Sequence, residues 1–105
     1  MVYITFGSRE DARAVGKELV LSGLAACINI FDHMNSMYVW QGELQDDTEA
    51  VLIAKTTDER VPELIEKVKR LHSYDCPCIV SLTVSSGNGP FLEWIAGQVG
   101  LASEI

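Results

Sequence analysis

Two stretches of helical spacing, each framed by β-rich runs, constrain this chain more than any other feature. In the second stretch Val61, Leu64, Ile65, Val68 and Leu71 recur at i, i+3, i+4, i+7 and i+10, the stripe of an amphipathic helix. In the first, Ser8 and Asp11 form a start signal, and Ala12, Val15, Leu19 and Val20 follow at helical spacing up to Gly23. Before it, the β-branched and aromatic run Val2 to Phe6 reads as a strand closed by Gly7 and Ser8. Between the helices lie the apolar run Leu24 to Phe31, the stretch SMYVWQGEL and the run Glu49 to Thr56. Gly42 with Asp46 and Asp47 marks the expected reversal, and a bend is expected at Asp32 to Asn35. Ile79 to Val84 reads as a fourth strand, SSGNGP as a turn, and FLEWIAGQVG as a short third helix.

The resulting order is strand, helix, strand, strand, helix, strand, with a helix added at the C-terminal end. It predicts an α+β, ferredoxin-like βαββαβ fold, with an antiparallel sheet and both long helices on one face. At 105 residues, residues 1–105 form one domain with a single core. Such a sheet leaves its second face bare unless something packs there, and large apolar side chains on it would exceed what monomers usually expose.

Tyr38, Trp40 and Gly42 stand at every second position, so one strand would aim all three to one face. That face has three readings: core, ligand surface, or contact with another copy. Aromatic rings suit each of them.

Charge narrows the partners. Eight basic against 15 acidic side chains give a formal net charge of −7, a field that repels phosphate backbones and anionic lipid headgroups. Neither nucleic acid nor membrane is an expected partner, whereas cations are not discouraged. The longest apolar runs fall well short of the roughly 20 residues of a bilayer span. The opening MVYITFGSRED lacks a basic start, so a cytoplasmic location is expected. An odd count of three cysteines, Cys27, Cys76 and Cys78, argues against a disulfide framework and fits a reducing compartment.

The segment LHSYDCPC carries the most suggestive chemistry, with His72, Cys76 and Cys78 within seven residues. Imidazole and thiolate suit copper or zinc, and the two cysteines share a side if the segment is extended. The alternative is structural: His72 caps the preceding helix, the cysteines are small buried hydrophobes, and Cys27 is core. SSGNGP lacks the endings of nucleotide-binding loops, and with two histidines and no nucleophile elbow no enzymatic constellation stands out.

The quoted pieces together resemble the divalent-cation tolerance (CutA) family over nearly the whole length. The residues that carry the resemblance are LAACIN at Leu24 to Asn29, Ser36-x-Tyr38-x-Trp40-x-Gly42, and KTT at Lys55 to Thr57. His72-x-Tyr74-x-x-Pro77 and FLEWI at Phe91 to Ile95 complete it. The resemblance implies a homotrimer whose long hairpins, with Tyr38 and Trp40 at the interface, continue the sheets around a three-fold axis. It also implies a non-enzymatic cytoplasmic role in tolerance to copper and other divalent cations in bacteria, and a link to acetylcholinesterase anchoring in animals. No cofactor is obligatory, and copper or another divalent cation is the expected ion. Family members proposed to bind copper carry a cysteine where this chain has Ile4 and paired histidines where it has Leu71 and His72. Here His72, Cys76 and Cys78 are the candidate ligands. A further expectation, by analogy with trimeric signalling proteins of similar protomer fold, is an inter-subunit cleft. There Lys55, Tyr74, Glu93 and Trp94 would meet a small anion or metabolite.

Overall fold

The first strand, β1, spans Val2–Phe6 and lies inside the sheet, with Val2, Ile4 and Phe6 at most 1% exposed. The computed structural model describes residues 1–104 and the side chains of residues 1–100. Helix α1, Arg9–Leu21, starts where the sequence signals it: the Ser8 hydroxyl accepts the Asp11 N–H at 3.1 Å. It ends at Gly23, whose φ of 74° lets Leu24 N–H reach the Leu19 carbonyl and Gly23 N–H the Val20 carbonyl. Gly16 brings the helix close to the sheet, since a methyl there would meet Leu52 Cδ1 at 2.9 Å and Ile28 Cδ1 at 3.1 Å.

Strands β2, Cys27–Trp40, and β3, Glu43–Lys55, form one long hairpin. Gln41 and Gly42, at φ 51° and 80°, make its two-residue turn. Gly42 is thus a turn residue and does not share the strand face of Tyr38 and Trp40. The return strand begins at Glu43 rather than Glu49, and Asp46 and Asp47 lie within it. Partners on the opposite strand stabilise this acidic pair there. Asn35 Nδ2 donates to Asp46 Oδ1 and to the Asp47 carbonyl, and Tyr38 Oη donates to Asp47 Oδ2 at 2.7 Å.

A turn of 3₁₀ helix, Asp58–Arg60, leads into α2, Val61–Leu71, which has Pro62 in its first turn, where a missing N–H costs nothing. Strand β4, Ile79–Ser81, is shorter than the expected run to Val84. It pairs with Val2 to Ile4, and the last exchange along that ladder is Leu82 N–H to the Met1 carbonyl at 2.7 Å. Helix α3, Gly89–Glu104, is longer than expected and runs through Gly97 and Gly100, burying Ile95 and Val99 four residues apart.

All four strands pair antiparallel in the order β2-β3-β1-β4. The expected ferredoxin-like connectivity is therefore present. Val2, Ile4 and Phe6 on β1 and Ala50, Leu52 and Ala54 on β3 share one sheet face and one core cluster with Ala12, Val15 and Leu19 of α1 and Leu64 and Val68 of α2. Tyr3, Val51 and Ile53 alternate to the opposite face.

Beyond that body the hairpin continues alone. β1 pairs with β3 only at Ala50 to Ala54, so the pairs from Met34↔Glu49 to Trp40↔Glu43 form a two-stranded arm about 20 Å long. At its root Phe31 faces Val51 and Met34 faces Glu49, so Asp32 and His33 together oppose Ala50. This bulge falls within the bend expected at Asp32 to Asn35. His33 takes φ 58° and gives its N–H to Asp32 Oδ1 at 2.7 Å. The extra residue shifts the alternation by one. Asn29 and Phe31 face away from the helices below the bulge, and Met34, Ser36, Tyr38 and Trp40 continue that face above it. Tyr3, on the same face, confirms the shift by donating its hydroxyl to Met34 Sδ at 3.5 Å.

Candidate functional site

Two groups of candidate residues lie at different ends of this frame, with the arm residues Tyr38 and Trp40 beside the first. The first follows α2. His72 is the residue after the helix, and its backbone N–H reaches the Val68 carbonyl at 2.8 Å. Its ring does not cap the helix end. Nε2 donates to the Thr5 carbonyl at 2.7 Å, Nδ1 accepts Tyr74 N–H at 3.0 Å, and the ring stacks on Phe6 at 4.5 Å. Both nitrogens are engaged, and the carbonyl partner assigns the proton to Nε2. The ring thus ties the segment after α2 to the core strand β1.

Tyr74, tilted against His72 at 4.7 Å, donates its hydroxyl to Glu49 Oε2 at 3.0 Å at the root of the arm. Burial, then the Glu49 hydrogen bond and charge, push the Tyr74 phenol up to about 12. On the arm the hydrogen bond to Asp47, followed by burial and the Asp47 and Glu49 charges, raises the Tyr38 phenol as well. Tyr38 and Trp40 are 46% and 61% exposed, so within one chain their face is neither core nor enclosed site.

Cys76 and Cys78 are free and exposed, so the reading of them as buried hydrophobes is corrected. Cys27 is half-buried at the start of β2, opposite Lys55, rather than in the core. Among the described residues no group of three or more His, Cys, Asp or Glu side chains could hold a metal ion. A single chain therefore does not assemble His72, Cys76 and Cys78 into a three-ligand centre.

The second group lies at the other end of β3. Lys55 Nζ donates to Asn29 Oδ1 and sits 5.8 Å from the centre of the Phe91 ring, which stacks on Trp94 at 5.9 Å. Lys55, Thr56, Thr83, Asn88, Phe91 and Ile95 help line an open cleft of about 450 Å³. Thr56 Oγ1 beside it is a buried side-chain oxygen with no hydrogen-bond partner. Glu93 is exposed on α3. Tyr74 is not part of this cleft: its partner Glu49 is six residues from Lys55 along β3, about 20 Å. Phe91 was missed as a site residue. Its i, i+3 spacing to Trp94 on one helical face was the available signal.

The CutA1 divalent ion tolerance protein family model matches residues 1–98. The divalent-cation tolerance protein CutA of Thermus thermophilus is 45% identical over 100 residues, covering 95% of this chain and 97% of that one. Its solved structure superposes with a TM-score of 0.89. The protein from Archaeoglobus fulgidus, described as a periplasmic divalent cation tolerance protein, has 40% identity, covers 93% of this chain and 95% of its own, and superposes with a TM-score of 0.90. The Ehrlichia chaffeensis divalent ion tolerance protein CutA1 matches at 34% identity and a TM-score of 0.90, over 93% of this chain and 92% of its own. By sequence and by fold, this chain belongs to the CutA1 divalent ion tolerance family.

Proposed function

We propose that this protein acts in cytoplasmic tolerance to divalent cations as a non-enzymatic homotrimer that binds copper or related ions weakly and without an obligatory cofactor. Family membership over residues 1–98 is the observation that carries this reading. The net charge of −7 supports it by favouring cations over nucleic acid and membrane surfaces. Self-assembly is supported by the arm, a two-stranded ribbon that leaves Met37, Val39, Trp40 and Leu44 each more than 60% exposed. The candidate ligands are Cys76 and Cys78, together with His72 where an ion displaces the Tyr74 N–H from Nδ1.

Calorimetric titration of reduced protein with copper and zinc, beside a variant lacking His72, Cys76 and Cys78, tests the binding. Saturable heat that the variant loses supports it, and equal heats from both proteins defeat the ligand assignment. Deleting the gene should lower the copper concentration that the host survives.

A second reading takes the Lys55–Phe91 cleft as the seat of a small-molecule sensor, with Trp94 stacked on Phe91 beside it, Glu93 exposed elsewhere on α3 and Tyr74 supplied by a neighbouring chain. The cleft volume and the unpartnered Thr56 hydroxyl favour it. A metabolite that raises the melting temperature saturably in the absence of metal would support the sensor.

A further inference from the structure

We propose that Cys76 and Cys78 alone form a two-thiolate site for a soft, two-coordinate ion, with Cu(I) as its test case. The inference rests on the reading of the protein as one that handles metal ions, and it narrows both the ligands and the ion.

Exposure alternates along the segment: Cys76, Cys78 and Val80 are exposed, and Pro77 and Ile79 between them are half-buried. A period of two is that of the extended path that runs from Pro77 into β4, and with Cys76 exposed at its start both thiols stand on the outward side. The backbone holds them there. The chain bends through Cys76, and Pro77 after it fixes its own φ and disfavours a helical turn at Cys76, so the path straightens from Pro77 into β4. The Cys78 carbonyl accepts Thr5 N–H at 3.3 Å, and Ile79 next to it pairs with Ile4.

Two residues of extended chain separate the Cα atoms by about 6.6 Å, near the outer limit of what a disulfide spans. Sulfurs joined through a metal stand farther apart, about 4.6 Å for two bonds of about 2.3 Å, against about 2 Å in a disulfide. The spacing therefore suits a bridging ion better than a covalent bond.

Ligand number then selects the ion. Zinc in a closed site takes four ligands, whereas among the described residues no third His, Cys, Asp or Glu joins the pair, and the His72 nitrogens are taken. Thiolates select soft ions such as Cu(I). Each ion bound replaces two thiol protons, which pass to solvent, so retention tightens as pH rises.

The test is anaerobic titration of the reduced full chain with Cu(I), supplied with ascorbate and a chromophoric Cu(I) chelator as competitor, with Zn(II) and Cu(II) titrated in parallel. One Cu(I) per chain is expected, retained by Cys27→Ser and weakened at least 100-fold by either Cys76→Ser or Cys78→Ser. A stoichiometry of half an ion per chain, or retention unchanged in both single variants, overturns the pair. Binding of Zn(II) or Cu(II) without retention of Cu(I) overturns the pair and leaves the broader metal-handling reading standing. Binding of none of the three ions overturns both.

Discussion

The body and the arm of this protein are built from the same two strands under opposite rules. In the body, β3 has β1 on one side and β2 on the other, and Leu52 and Ala54 are fully buried beneath two helices. In the arm, β2 and β3 have only each other, and no residue between Ser36 and Glu43 is buried. Side chains that fill a core in one region stand in solvent in the other. The body carries its own stabilisation, and the arm's apolar residues have reason to exist only against another surface.

The largest test of this contrast is Trp40→Ala. If the indole is buried between chains, the assembly should weaken by about 3 to 5 kcal/mol, seen as loss of trimer mass by light scattering on dilution. Unfolding of the separated chain should then move by less than about 0.5 kcal/mol. A monomer from the unmodified protein would end the assembly argument. Leu64→Ala tests the other region: a side chain with no exposure should cost the body about 2 to 5 kcal/mol in urea denaturation. Gly42→Ala should cost the hairpin about 1 kcal/mol through backbone strain at φ 80°, since an added methyl meets nothing within 4 Å.

The smallest expected effect lies at the junction of the two regions. The Tyr74 phenol is raised from 10.0 to about 12, so its contribution is whole below pH 10 and is lost as pH rises through 12. Tyr74 is 38% exposed, which keeps the effect modest. Tyr74→Phe should flatten the alkaline decline in melting temperature across that window, and an unchanged decline would assign it to other groups.

Local signals predicted local structure well. Ser8 caps α1, the Val61 to Leu71 stripe is α2, and the polar break near Asp32 is a bulge. The errors arose where a residue's partner lies far along the chain. Asp46 and Asp47 suggested a turn because the donors they accept from, Asn35 and Tyr38, sit on the other strand. His72 suggested a helix cap, yet its ring answers to Thr5, 67 positions away. Within one chain Lys55 and Tyr74 lie apart along β3, so the cleft expected to join them is one that only a neighbouring chain could complete. Lys55 instead meets Phe91, a contact between a strand end and α3.

The bulge at Asp32 and His33 makes the arm's faces a matter of arithmetic. Asp32 and His33 share the place opposite Ala50, so loss of either would leave a regular ladder, with Met34 still opposite Glu49 and Tyr38 and Trp40 on the face they now occupy. In a β2 already regular, one residue fewer would turn every side chain beyond it to the other side relative to β3. Beyond that single reserve, changes in arm length that preserve its surface must add or remove residues on β2 in pairs, matched on β3. Over evolutionary time, a single deleted codon at the bulge should leave the aromatic face better preserved than a second one would.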